Sequence, residues 1–223
     1  MAAPRIAVVD YHKGNLLSVV RSLADVGGDA FVTDDCEAIV AADAVVVPGV
    51  GAFEDAMGYL LDSGEAEAIR TQVGRGVPFL GICLGLQLLF ERGSERADGS
   101  DGDFVAGLGL LQGSVTRLES GRLKVPHVGW DQLHLTEHGR RCPLFSGIAE
   151  GANVYFTHSY ALADDIDSSI ESSRSHYTRS FCSGVWSDNV FGVQFHPEKS
   201  SQTGLSILRN FCRIVQGDGT GEA

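Results

Sequence analysis

Val77-Pro78-Phe79-Leu80-Gly81-Ile82-Cys83-Leu84-Gly85-Leu86-Gln87-Leu88-Leu89-Phe90 contains the change of rhythm that decides the fold. Its first half is an unbroken apolar run opened by Pro78, of the kind found in a strand covered on both faces. Its second half predicts a short helix over 84–92. A buried strand feeding directly into a helix is half of a parallel-sheet unit, because parallel neighbours need a crossover. Working outward from this stretch, the same unit recurs. Arg5-Ile6-Ala7-Val8-Val9 reads as a strand that ends at Asp10 and leads through a Gly14 turn into a helix. Asn15 is the expected cap of that helix, and Gly27-Gly28 its stop. Ala30-Phe31-Val32-Thr33 and Ala44-Val45-Val46-Val47 are further short apolar runs. Helix is expected over 53–75, broken near Ser63-Gly64. The alternation predicts an α/β fold: a doubly wound, mostly parallel central sheet with helices on both faces.

The second half is expected to be β-rich. Ser114-Val115-Thr116-Arg117-Leu118, Asn153-Val154-Tyr155-Phe156, and the stretches 181–186 and 190–195 read as short strands separated by turns. An amphipathic helix is expected over 203–215, and 216–223 reads as a polar tail. The stretch 93–107, rich in Gly, Ser and Asp, is expected to be a flexible surface excursion. No repeat or linker divides the chain, so 1–215 is expected to form one domain.

Bulk properties exclude several classes of function. The 223 residues carry a formal net charge of −12, which argues against a protein that reads nucleic acid through a clustered basic face. No apolar run approaches the roughly 20 residues of a membrane span. Met1-Ala2-Ala3-Pro4-Arg5 runs straight into strand-like residues, without the pattern of a secretory leader. Cys36, Cys83, Cys142, Cys182 and Cys212 are odd in number and widely spaced, with no CxxC pair. That argues against a disulfide framework or a zinc site and fits a reducing cytoplasm. No metal and no cofactor are expected.

Chemistry concentrates in three places. In Gly81-Ile82-Cys83-Leu84-Gly85 a cysteine sits between strand and helix with glycine two residues to either side, the pattern of a nucleophile elbow. A helix N-terminus there favours the thiolate. Gln194-Phe195-His196-Pro197-Glu198-Lys199 supplies a proton shuttle, His196, and an orienting carboxylate, Glu198. In an extended segment both side chains point the same way. Pro48-Gly49-Val50-Gly51-Ala52-Phe53 follows a strand, and its glycines suit an oxyanion hole formed by backbone N–H groups. His12, His134, His138 and His176 are read as ordinary surface or core residues.

In this order and combination, the three motifs resemble the triad-type, class I glutamine amidotransferases over nearly the whole chain. Lys124-Val125-Pro126-His127-Val128-Gly129-Trp130, Val154-Tyr155-Phe156-Thr157-His158-Ser159-Tyr160 and Gly192 to Ser200 look like one branch of that family, as does Asp10-Tyr11 with Gly14-Asn15. One departure is visible: the branch usually has glycine where this chain has His12, followed by Lys13. The resemblance implies glutamine as substrate and a thioester on Cys83. It implies an oxyanion hole from Gly49, Val50, Gly51 and the N–H of Leu84, with substrate contacts from Gln87 and from His158, Ser159 and Tyr160. It also implies a partner, the separate (β/α)8-barrel cyclase that consumes the ammonia in histidine biosynthesis. Asn15, Trp130 and Lys199 are the candidates for the face toward it. Three alternatives stay open at this stage: a branch feeding a different synthase, a stand-alone cysteine peptidase or γ-glutamyl hydrolase, and a catalytically dead regulatory subunit.

Overall fold

In the computed structural model, residues 3–12, 14–121 and 123–217 are described. Lys13 and residues 218–223 of the expected tail lie outside them. The chain runs β1 (Arg5–Val9), α1 (Leu16–Asp25), β2 (Asp29–Thr33), α2 (Cys36–Val40), β3 (Ala44–Gly49), α3 (Phe53–Ser63), α4 (Glu65–Gly74), β4 (Phe79–Cys83) and α5 (Leu84–Leu88). It continues β5 (Phe90–Glu95), β6 (Asp101–Ala106), β7 (Leu111–Arg117), β8 (His127–Leu135), β9 (Ala152–His158), β10 (Tyr160–Leu162), β11 (Glu171–His176), β12 (Ser180–Ser187), β13 (Val190–Val193) and α6 (Ser201–Val215).

Among the described residues, nine strands form the central sheet in the order β2-β1-β3-β4-β13-β12-β11-β8-β9. The pairs from β2 to β13 are parallel, and those from β13 to β9 are antiparallel. Alternate residues of each parallel strand feed two cores, as the period of two requires. Ile6, Val8, Val46, Leu80 and Ile82 pack beneath α1 and α6, which contribute Leu23, Leu208 and Phe211. Val9, Val45, Val47 and Phe79 pack with Met57, Leu60 and Ile69 from α3 and α4. Helices thus cover both faces, and the α3–α4 break falls at Gly64, whose φ of 85° is the left-handed stop a glycine supplies. A second sheet, β10-β7-β5-β6, lies beside this frame.

Four expectations need correction. Asn15 stands at the start of α1, but its side chain makes no capping bond; its carbonyl accepts from the N–H groups of Ser18 and Val19. The helix expected over 84–92 stops at Leu88, because 90–95 pairs with β7 and β6 instead. Gly93 lies so close to the Phe53 ring that a Cβ there would sit 2.6 Å from it. The excursion 93–107 is consequently a β-hairpin anchored in that sheet. Finally, β8, β10 and β11 went unrecognised. The Glu171–His176 strand is polar in sequence yet largely buried, and two of its serines are satisfied within the sheet: Ser173 and Ser175 both bond Ser183, and Ser175 donates to the Gln132 carbonyl.

Candidate active site

Three neighbouring parallel strands, β3, β4 and β13, end side by side, and each end carries one of the motifs. Gly49 is in register with Cys83, and Val193 with Ile82. Ligand sites in open α/β sheets lie outside these carboxyl ends. At the end of β4 the chain turns abruptly into α5, and Cys83 takes φ 55°, ψ −105°, a conformation costly for a residue with a Cβ. The flanking glycines let the turn close. A Cβ on Gly81 would lie 2.6 Å from the Gly85 carbonyl oxygen, and one on Gly85 would lie 1.7 Å from that of Val47. Only hydrogen fits at either place.

His196 and Glu198 meet as expected, but by a different local geometry. Residues 197–199 form a 3-10 turn rather than extended chain. His196 Nδ1 donates to Glu198 Oε1 at 2.9 Å, which leaves Nε2 as the free ring nitrogen. Both side chains are almost wholly buried, and among the described residues Nε2 has no conventional hydrogen bond. Burial pushes the imidazole down, but the negative charges of Cys83 and Glu198 outweigh it and raise the pKa to about 10. The turn is tied down by Ser200 Oγ, which donates to the His196 carbonyl at 2.7 Å and accepts from the Tyr155 N–H at 2.9 Å.

The end of β3 is held from below. The Tyr11 hydroxyl donates to the Pro48 carbonyl at 2.6 Å, and a Cβ on Gly49 would fall 1.7 Å from that hydroxyl oxygen. His12 itself adopts φ 60°. The glycine usual at this place is thus explained by a left-handed turn, which His12 adopts while its Nε2 meets the Tyr59 hydroxyl at 2.8 Å.

Cys83 opens onto a cavity of about 490 Å³ lined by Val50, Gly51, Leu84, Gln87, His158, Ser159 and Tyr160, among others. Of the residues expected to contact substrate or oxyanion, all but Gly49 line it; Gly49 is buried behind Val50. Gln87 uses its amide N–H groups internally, donating to the Tyr160 carbonyl at 2.8 Å and to Gln194 Oε1 at 3.0 Å. His158 donates from Nδ1 to the same carbonyl at 2.8 Å, and burial lowers its pKa to about 3, so it is neutral. Its Nε2 accepts from His127 Nδ1 at 3.2 Å.

Sequence reading missed the part of the lining built by the β5–β6 hairpin: Glu95, Ala97, Asp98 and Gly99. Glu95 Oε2 accepts from the Phe53 N–H, the first of α3, at 3.2 Å. Burial lifts its pKa to about 7. In return Glu54 accepts from the Ala97 N–H and pairs with Arg96, both at 2.8 Å. Hairpin and helix therefore clasp each other across the cavity rim. No motif announced Glu95, because its strand reads as a polar loop. Gln194 was visible only as part of a motif, and its contact with Cys83 Sγ at 3.5 Å was not.

Of the three residues expected at a partner surface, Trp130 and Lys199 lie together around Tyr155. Trp130 is 54% exposed and packs edge-on against Tyr155, over which the Lys199 ammonium sits at 5.9 Å from the ring centre. Asn15 is exposed at the start of α1. Among the described residues no group of three or more His, Cys, Asp and Glu side chains is placed to hold a metal ion. No helix there is long and apolar enough to cross a membrane.

Comparison with known proteins matches residues 7–215 to the glutamine amidotransferase class-I family. Imidazole glycerol phosphate synthase subunit HisH of Moorella thermoacetica is 47% identical, covering 96% of this chain and 97% of that one. Its counterpart from Syntrophotalea carbinolica is 46% identical over 92% and 98%. Among solved structures, PurLQS from Thermotoga maritima superposes with a TM-score of 0.72 at 19% identity, covering 95% and 99% of the two chains. The glutaminase domain of Trypanosoma brucei CTPS gives 0.64 at 14% identity, covering 95% and 94%. These two share the fold.

Proposed function

The chain belongs to the class I glutamine amidotransferase family, and on that premise we propose that it is the glutaminase subunit of an imidazole glycerol phosphate synthase, with Cys83, His196 and Glu198 as its catalytic residues. The observation that supports the residue assignment is that Cys83 lines the cavity while His196, bonded to Glu198, lies close enough to feel the sulfur. The strained elbow presents Cys83, and a buried imidazole is oriented by Glu198 and charged by its two neighbours.

The Cys83 thiolate attacks the side-chain carbonyl carbon of glutamine. The resulting oxyanion is met by N–H groups of the 49–51 segment and of Leu84. His196 Nε2 gives its proton to the amide nitrogen, and ammonia departs, leaving a glutamyl thioester. Nε2 then takes a proton from water as the oxygen attacks the thioester carbon, and glutamate and the thiolate are regenerated. Throughout, Glu198 fixes the tautomer. Glutamine carries one cation, its α-ammonium, and Glu95 supplies a carboxylate to the cavity that Cys83 lines.

The ammonia passes to a (β/α)8-barrel cyclase docked on the Asn15, Trp130 and Lys199 face. Ammonia released into water would be protonated and lose its nucleophilicity, so an enclosed handover suits the chemistry. The end of β3 is the place where docking would switch activity on, because its glycines permit a peptide flip that presents or withdraws an oxyanion donor. Acid-quenching the complex during turnover tests the chemistry. The peptide containing Cys83 is expected to carry a glutamyl mass increment; an increment on any other residue would displace Cys83 as nucleophile.

A further inference from the structure

We propose that the side-chain amide of Gln194 is a further catalytic group: its N–H donor holds the Cys83 sulfur as a thiolate and keeps it aimed into the cavity. This rests on the assignment of Cys83 as nucleophile. Gln194 is fully buried, and its neighbours dictate which way its amide faces. The Tyr160 carbonyl can only accept, so the Gln87 atom 2.8 Å from it is the NH2 group. That NH2 also faces Gln194, so the Gln194 atom 3.0 Å away is the oxygen. What remains for the sulfur, at 3.5 Å, is an N–H. The backbone cannot relax the arrangement, since the Gln194 N–H is fixed to the Ser183 carbonyl at 2.9 Å.

The need for such a donor is also visible. The sulfur lies 3.7 Å from the Thr157 carbonyl oxygen, a contact that suits a thiol and opposes a thiolate. Other groups acting on Cys83 are His196, backed by Glu198, and the buried Tyr11 phenol, with Glu65 near it. His196 loses its proton to the leaving amine during the reaction. Gln194 does not titrate, so it serves the sulfur both in attack and in departure from the thioester.

The test uses the full chain as wild type, Gln194→Met, Gln194→Glu and Gln87→Met, with Cys83→Ala as the blank for thiolate ultraviolet absorbance. Alkylation by iodoacetamide at neutral pH and glutamate release with the cyclase are measured in parallel. A charge-assisted hydrogen bond of ordinary strength predicts a roughly tenfold fall in alkylation rate for Gln194→Met, together with loss of thiolate absorbance. Gln194→Glu should lose at least as much, since a carboxylate would face the sulfur. Gln87→Met, which frees Gln194 to flip, should show a smaller loss of alkylation and of thiolate absorbance. Wild-type absorbance and alkylation in Gln194→Met overturn the proposal; if that variant does not fold, the same result in Gln87→Met does so. Wild type that forms the thiolate yet releases no glutamate would count against the proposed function instead, a distinct outcome.

Discussion

His196 is under two opposed pressures: burial disfavours its charge, and the sulfur and carboxylate beside it demand that charge. The second wins, which holds the imidazole in its charged form at neutral pH, ready to deliver a proton. Cys83→Ala is expected to abolish glutamate release while leaving the fold intact. His196→Ala removes the shuttle and should cost roughly 10²–10⁴-fold in kcat; Glu198→Gln, which only disorients it, should retain measurable turnover. Equal and mild losses would break the assignment. Glu95 permits a prediction with a sign. Its carboxyl is held up at about 7 by burial, so below that pH it is neutral in the free enzyme and cannot meet an ammonium. KM for glutamine should therefore rise as pH falls through 7, and Glu95→Gln should raise KM at higher pH while changing kcat little. A flat KM profile in wild type would remove Glu95 from the substrate site. At this scale the sequence was a good guide to residues that announce themselves by chemistry and spacing, such as Cys83 between its glycines. It was silent on Glu95 and on the Gln194 contact, because each acts through a neighbour far along the chain.

At the scale of elements, the site depends on strand ends and on how tightly the elbow closes. Since a Cβ on Gly85 would collide with the Val47 carbonyl, Gly85→Ala must push β3 and α5 apart. Overpacking of this kind costs roughly 1–3 kcal/mol or more, and a denaturant midpoint unchanged from wild type would show that the elbow has slack. Glu65 gives a second test. It is fully buried in the first turn of α4, and among the described residues neither carboxyl oxygen has a partner at hydrogen-bond geometry. Burial raises its pKa to about 7, so the folded state binds a proton that the unfolded state has lost between about 4.5 and 7. Stability from this group is then present at low pH and falls as pH rises through that window. Glu65→Gln should accordingly raise Tm above pH 7 and have little effect at acid pH; a gain confined to acid pH would reverse the sign. The parallel half of the sheet was legible because its strands are continuous apolar runs between helices. β5, β6 and β11 were not, since polar residues form them and only pairing with distant strands makes them strands at all.

For the whole molecule, the sheet gathers three distant motifs at the carboxyl ends of neighbouring central strands. Lys199 directly follows Glu198, its ammonium lies over Tyr155, and Ser200 ties the Tyr155 N–H to the His196 carbonyl. A partner touching Trp130, Tyr155 and Lys199 would therefore press on the turn that carries His196 and Glu198. Conservative geometry on that side and a glycine-rich β3 end on the other leave two routes by which docking alters turnover. The most direct measurement is glutamate release by wild type and Cys83→Ala, each alone, with the cyclase, and with the cyclase plus its nucleotide ligand. The expected result is slow release by the isolated wild type, a rise of roughly 10²–10³-fold in the liganded complex as an oxyanion donor is restored, and no release by Cys83→Ala under any condition. Release by Cys83→Ala at a rate comparable to wild type would contradict the account.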